Sequence, residues 1–277
     1  SREQKQITKG NSSSMQSADW TPDGNYLVVS KGGALALRQT KLWLYHKDGG
    51  GGAQILDEPK EMKTVEPAIT PDGRYIWYSQ RHRGWHYNAQ LPQYQLVVYD
   101  RETGESETIT DRYGSAFTPT ISPNGKWLVY GTRFETKTGL ILRDLKSGEE
   151  RWLAYPVQRD EQESIATMDV LPGMSFTPDN QYLVTSYGGK IYKVPVSGGD
   201  AIEIPFSVDV QLDLGPELDF DYPVSDDPQF VARQIRDAKL SPDASKLAFT
   251  VLDKLYVMDY PSGTPKRLTT STDSEGY

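Results

Sequence analysis

The chain has 277 residues, a net charge of −8 and a pI near 5.0, which speaks against a nucleic-acid backbone as a partner. Its apolar runs are all far shorter than the roughly 18 residues that span a bilayer as a helix, so no membrane insertion is expected. The lack of cysteine removes disulfides, thiolate zinc sites and cysteine nucleophiles together, and the abundance of Tyr, Trp, Gly and Pro favours short strands broken by turns.

In chain order, the first element is a short strand over residues 4–8, within "QKQITKG". A turn at Pro22 follows, in "ADWTPDGNYLVVS", and leads into the strand Tyr26-Leu27-Val28-Val29. A third strand lies in "KLWLYHKDGG" and a fourth in "AQIL". The same four-part unit then recurs around Pro71, Pro123, Pro178 and Pro242, at spacings of 49, 52, 55 and 64 residues. Its third strands are "QLVVYDRETGE", "LILRDLKSGE", "KIYKVPVSGG" and "KLYVMDYPSG"; its fourth are "SETIT", "RWLA", "AIEIP" and "PKRLT".

Each turn reads Ser or Thr, Pro, Asp or Asn, then usually Gly. Proline presets φ at the first corner, Asp or Asn accepts backbone hydrogen bonds, and Gly supplies a positive φ. Two copies lack the Gly. Asn180 is the next-best residue for that conformation, whereas Ala244 is not, so the fifth turn is expected to be strained. The strand after each turn is apolar on both faces, as in Tyr75-Ile76-Trp77-Tyr78 and Trp127-Leu128-Val129-Tyr130, and so should be covered on both. Four antiparallel strands repeated at about 50 residues predict an all-β propeller, with five complete blades in this segment. The blades are expected near 16–58, 65–110, 117–154, 172–205 and 236–270, with the Pro turns between first and second strands.

The repeats "SPNGKWLVY" and "LYVMDYPSG" resemble those of TolB-like propellers. The stretches "LWLYHKDGGGGAQIL", "LKSGEERWL", "LPGMSFTPDNQYLVTSYGGKIYKVPVSGG" and "IPFSV" are similar to one subgroup, the propeller that precedes the metal-dependent domain in periplasmic, imidazolonepropionase-like amidohydrolases. This resemblance implies a non-catalytic scaffold or interaction module, periplasmic or secreted, that supports or gates a hydrolase domain. The partner it implies is another domain of the same chain or another envelope protein. Two alternatives stay open: a TolB-type protein–protein interaction module, and a propeller that binds a small ligand at its central channel. Both "QKQIT" and "PKRLT" read as fourth strands, so the segment is expected to be an arc of a larger propeller, with residues 4–8 belonging to a further blade.

The chemistry-bearing residues are sparse. A catalytic zinc site of the amidohydrolase kind needs a His-x-His pair with further ligands, and the chain offers only His46, His82 and His86. His46 ends a strand and reads as a turn residue. Ser175, in "PGMSFTPD", sits before a repeat turn and not on a Gly-x-Ser-x-Gly elbow. No catalytic residue, no metal ligand and no cofactor is therefore assigned to this segment.

Two insertions exceed what blades require. Residues 79–93 ("SQRHRGWHYNAQLPQ") gather Arg81, His82, Arg83, Trp85, His86 and Tyr87, a basic-aromatic group suited to anchoring an interface. Residues 205–236 carry Asp209, Asp213, Glu217, Asp219, Asp221, Asp226 and Asp227 with no Lys or Arg before Arg233. Such an acidic loop could hold Ca²⁺, but it lacks the ligand ladder of a known loop. Both insertions are expected to project from the blades and contact another domain, subunit or strand.

Overall fold

The computed structural model of the chain describes residues 5–8, 14–32, 39–57, 59–82, 92–159, 171, 173–215 and 225–270. The chain divides into two compact units, Ser1–Asp209 and Val210–Tyr277. Among the described residues there is no helix, and every strand belongs to one of five four-stranded antiparallel sheets.

Four sheets lie in the first unit. They comprise β1 (Ser14–Trp20), β2 (Tyr26–Gly32), β3 (Lys41–His46) and β4 (Ala53–Gln54); β5 (Met62–Ile69), β6 (Tyr75–His82), β7 (Gln95–Asp100) and β8 (Ser106–Thr108); β9 (Phe117–Ile121), β10 (Trp127–Phe134), β11 (Lys137–Asp144) and β12 (Glu150–Arg159); and β13 (Ser175–Phe176), β14 (Tyr182–Tyr187), β15 (Lys190–Pro195) and β16 (Ile202–Ile204). The second unit holds β17 (Arg236–Leu240), β18 (Lys246–Val251), β19 (Lys254–Asp259) and β20 (Lys266–Arg267). Each sheet is a meander in sequence order, and each Pro turn lies between its first and second strands, as the repeat predicts.

The turn sequence works as a local hydrogen-bonded cage. In the second blade, the Thr70 hydroxyl donates to the Asp72 carboxylate and accepts the Tyr75 amide at 3.0 Å, while Asp72 accepts the Arg74 amide at 3.0 Å. The Gly73 amide closes on the Thr70 carbonyl at 2.8 Å. The same bonds recur around Thr21 and Asp23, Ser122 and Asn124, Thr177 and Asp179, and Ser241 and Asp243. The fourth turn residue has positive φ in all five copies: 66° at Gly24, 75° at Gly73, 69° at Gly125, 62° at Asn180 and 54° at Ala244. Ala244 therefore adopts the left-handed conformation with no side-chain group to compensate it.

The first-unit cores lie between neighbouring blades, which explains strands apolar on both faces. In β6, Ile76 and Tyr78 pack with Val28 and Leu42 of the first blade, whereas Trp77 packs with Leu128 and Tyr130 of the third. In β10 the alternation repeats: Leu128 and Tyr130 face the second blade, and Val129 joins Phe176, Leu183 and Val194 of the fourth. Burial of this kind stabilises by about 25 cal/mol per Å² of apolar surface. In the second unit Phe249 is buried, whereas Leu240, Leu252 and Leu268 are exposed.

Two expectations differ from the structure. Residues 5–8 form no strand; Lys5 instead pairs with Asp48, in the turn between β3 and β4, at 3.2 Å. The basic-aromatic insertion begins later than its composition suggests, because Ser79, Gln80, Arg81 and His82 continue β6 against β5 and β7.

Candidate functional site

Three of the four innermost strands of the first unit share a departure from regular pairing, β13 being the exception. Ser17 in β1, Glu66 in β5 and Thr118 in β9 each lie five residues before the turn proline. Each has positive φ (46°, 57° and 56°) at a break in register with the second strand. Such bulges bend an inner strand and re-aim its polar residue. In the second unit Asp237 holds the equivalent place, with φ 55°.

A bulge leaves an amide without a ladder partner, and the neighbouring blade supplies one. The Glu66 amide donates to Ser30 Oγ at 3.1 Å, and the Thr118 amide donates to Ser79 Oγ at 3.1 Å. Both serines are fully buried and stand eight residues after their own turn proline. Asp19 adds a further bracket: Oδ2 accepts the Ile69 amide at 2.7 Å, and Oδ1 accepts the Trp20 amide at 2.9 Å.

These strands surround a cavity of about 630 Å³ lined by β1, β5, β9, β13 and the residues just before β13. Its charged lining among the described residues consists of two carboxylates, Asp19 and Glu66. Burial raises the Glu66 carboxyl above its usual range, with hydrogen bonds from Thr118 and Ser79 and the charge of Lys63 opposing the rise. Burial likewise raises Asp19 against the two amides it accepts. Trp20, half-exposed, and Met174 supply apolar surface on the wall. Size and mixed lining suit a side chain or a short segment of a ligand.

The sequence-selected residues fall elsewhere. Arg81 does not project: it is buried in β6, donates to Gln93 Oε1 at 2.9 Å and lies over the Tyr94 ring. Its guanidinium, with burial as the larger cause, helps push the buried Lys63 ammonium down to about 8. His82 is exposed at the end of β6, and Arg83, Trp85, His86 and Tyr87 lie outside the described residues. Asp209, Asp213, Asp226 and Asp227 are exposed in irregular chain; Glu217, Asp219 and Asp221 lie outside the described residues. His46 is a turn residue, its Nδ1 accepting the Asp48 amide at 3.2 Å and its ring edge-on to Tyr26. Ser175 lines the cavity, with its hydroxyl directed at the Phe176 carbonyl. No three His, Asp or Glu converge as a metal site among the described residues.

The sequence reading missed Glu66, Asp19 and the two serines. A signal was present in part: five residues before the turn proline four of the five copies carry a polar residue (Ser17, Glu66, Thr118 and Asp237, with Gly173 in the fourth), visible only once the copies are aligned on those prolines.

Bulged inner strands, inter-blade cores and sequential meanders define the fold class: these are β-propeller blades. No family model matches the chain, and no curated protein matches it. Solved structures of similar fold include TolB from Acinetobacter baumannii, at 17% identity and TM-score 0.50 over 91% of this chain and 54% of that one. A putative TolB from Agrobacterium tumefaciens is similar at 16% identity and TM-score 0.50, over 92% and 80% of the two chains. A chain of a nidogen/laminin complex is similar at 10% identity and TM-score 0.52, over 90% and 76%. The chain thus spans about half the length of the first of these, and the likeness is one of fold.

Proposed function

We propose that this chain is a non-catalytic propeller module that binds another protein, taking a cationic segment of it in the cavity of the first unit. The observation that carries this reading is the cavity wall, where two carboxylates stand among apolar and hydroxyl groups. A lysine or arginine entering there gains charge-assisted hydrogen bonds in a partly desolvated setting. The propeller fold is consistent with an interaction role but does not by itself assign one.

The test uses Trp20 as reporter. An N-acetylated, lysine-containing tripeptide amide titrated into the full chain is expected to change the tryptophan emission saturably, a change that Trp20→Phe removes, and Glu66→Gln should weaken that binding at least tenfold. An unchanged affinity in Glu66→Gln, or equal binding of the norleucine analogue, would sink the proposal.

A second reading follows from the amidohydrolase-associated stretches, among them "LWLYHKDGGGGAQIL". In it the partner is a metal-dependent hydrolase domain of the same polypeptide, in a periplasmic or secreted setting, which the propeller supports or gates. Reading the parent gene decides this: a following domain with His-x-His supports it, and an open reading frame without one removes it. In either reading, the basic-aromatic insertion and the acidic 209–227 segment are candidate contact surfaces, tested by Trp85→Ala in the association assay.

A further inference from the structure

Residues 206–214, "FSVDVQLDL", alternate apolar and polar without interruption. Phe206, Val208, Val210, Leu212 and Leu214 occupy one parity; Ser207, Asp209, Gln211 and Asp213 occupy the other. This is the pattern of a half-buried β-strand. Yet the segment belongs to none of the five sheets, and its five apolar residues are 61 to 88% exposed. Strand-patterned chain with unpaired backbone and solvated apolar side chains is a template for strand pairing.

We infer that this segment pairs antiparallel with the same segment of a second copy of the chain, in the register that sets Val210 opposite Val210. The sequence is self-complementary about that residue. Phe206 then faces Leu214 of the second copy, Val208 faces Leu212, and all five apolar side chains of each strand share one face of the ribbon. On the other face Ser207 stands opposite Asp213 and Asp209 opposite Gln211, so no two carboxylates are directly opposed. Like charges directly opposite would be destabilising, and a shift of two residues in either direction opposes acids: Asp209 meets itself in one, Asp213 and Asp209 face across in the other. The charge pattern thus selects the register as well as the partner. A two-stranded ribbon is marginal on its own, so the association is weak and concentration-dependent.

The absence of cysteine from these 277 residues permits a clean test in this chain. Directly opposed residues in an antiparallel pair have Cα atoms about 4.5–5.5 Å apart, within disulfide reach. Val210→Cys should therefore form a disulfide dimer under mild oxidation. Val208→Cys and Leu212→Cys, each about 13 Å from its own copy in this register, should cross-link at least tenfold more slowly. The double variant Val208→Cys/Leu212→Cys should cross-link readily again.

Sedimentation equilibrium of the unmodified chain should show a reversible monomer–dimer equilibrium. Gln211→Lys, which places a lysine opposite Asp209, should tighten it severalfold, and Gln211→Asp should loosen it severalfold. Val210→Pro should weaken it at least tenfold while Trp emission reports intact blades. Equal cross-linking rates at 208, 210 and 212 would mean unregistered clustering and overturn the inference. A strictly monomeric chain would overturn it too, as would protection of these amides from hydrogen exchange in the monomer.

Discussion

Asp19, in the innermost strand of the first blade, holds the backbone amide of Ile69 in the second at 2.7 Å. The contact joins residues fifty positions apart and links two blades beside the cavity. Asp19→Ala leaves that amide and the Trp20 amide without their acceptor, and is expected to lower unfolding free energy by about 1–3 kcal/mol. Asp19→Asn keeps one acceptor oxygen and should cost less. Urea unfolding of both variants checks this; equal losses, or none, would show that the bracket contributes nothing.

Glu66 carries a pH signature. Burial raises its carboxyl above the ordinary 4.5, so the folded chain holds this proton more tightly than the unfolded chain. Its contribution is therefore fully present below about pH 4.5 and declines as pH rises through the folded value. Glu66→Gln removes the titration. Measured between about pH 4 and 8, the variant's stability relative to the parent should improve as pH rises. A gap independent of pH would contradict the assignment.

The turn cages titrate in the opposite sense. Hydroxyl and amide donors hold Asp23, Asp72 and Asp179 below the usual carboxylate range, and Asp243 at about 2. Groups with depressed pKa stabilise the fold above their unfolded value of 3.8 and lose that effect as pH falls through the folded value. Acid unfolding should accordingly set in below about pH 4. Thr70→Ala, which removes the donor to Asp72 and the acceptor for the Tyr75 amide, is expected to destabilise by about 1–3 kcal/mol, and Thr70→Ser to restore most of the loss.

The fifth turn offers a stabilising change. Ala244 has φ 54° where three other copies use glycine. Relieving that strain gives about 1–2 kcal/mol, against a loss of about 0.4–1 kcal/mol from the freer unfolded chain. Ala244→Gly should thus stabilise the fifth blade by roughly 0.5–1 kcal/mol. Hydrogen exchange of the β17 and β18 amides is the measurement, and faster exchange in the variant is the outcome that would refute it.

Sequence alone determined the five turns, the order of strands within each blade and the conformation at Asn180 and Ala244. The reason is locality: each cage closes among residues no more than five apart, such as Thr70, Asp72 and Tyr75, so a short stretch contains both donor and acceptor. Apolar strands like Tyr75–Tyr78 also announced their two-sided burial, because no single sheet face could satisfy them. Arg81 misled for a physical reason. A charged residue reads as the start of an exposed loop, yet here a glutamine and a tyrosine ring beside it let a strand carry it inward. The cavity was a matter for the tertiary structure. Ser30 and Glu66, or Asp19 and Ile69, meet only because one blade stacks on the next, and the angle of that stacking depends on side chains distant in the chain. Which bulged residue faces the cavity, and which buried serine satisfies its amide, is decided by that packing and by nothing within a single repeat.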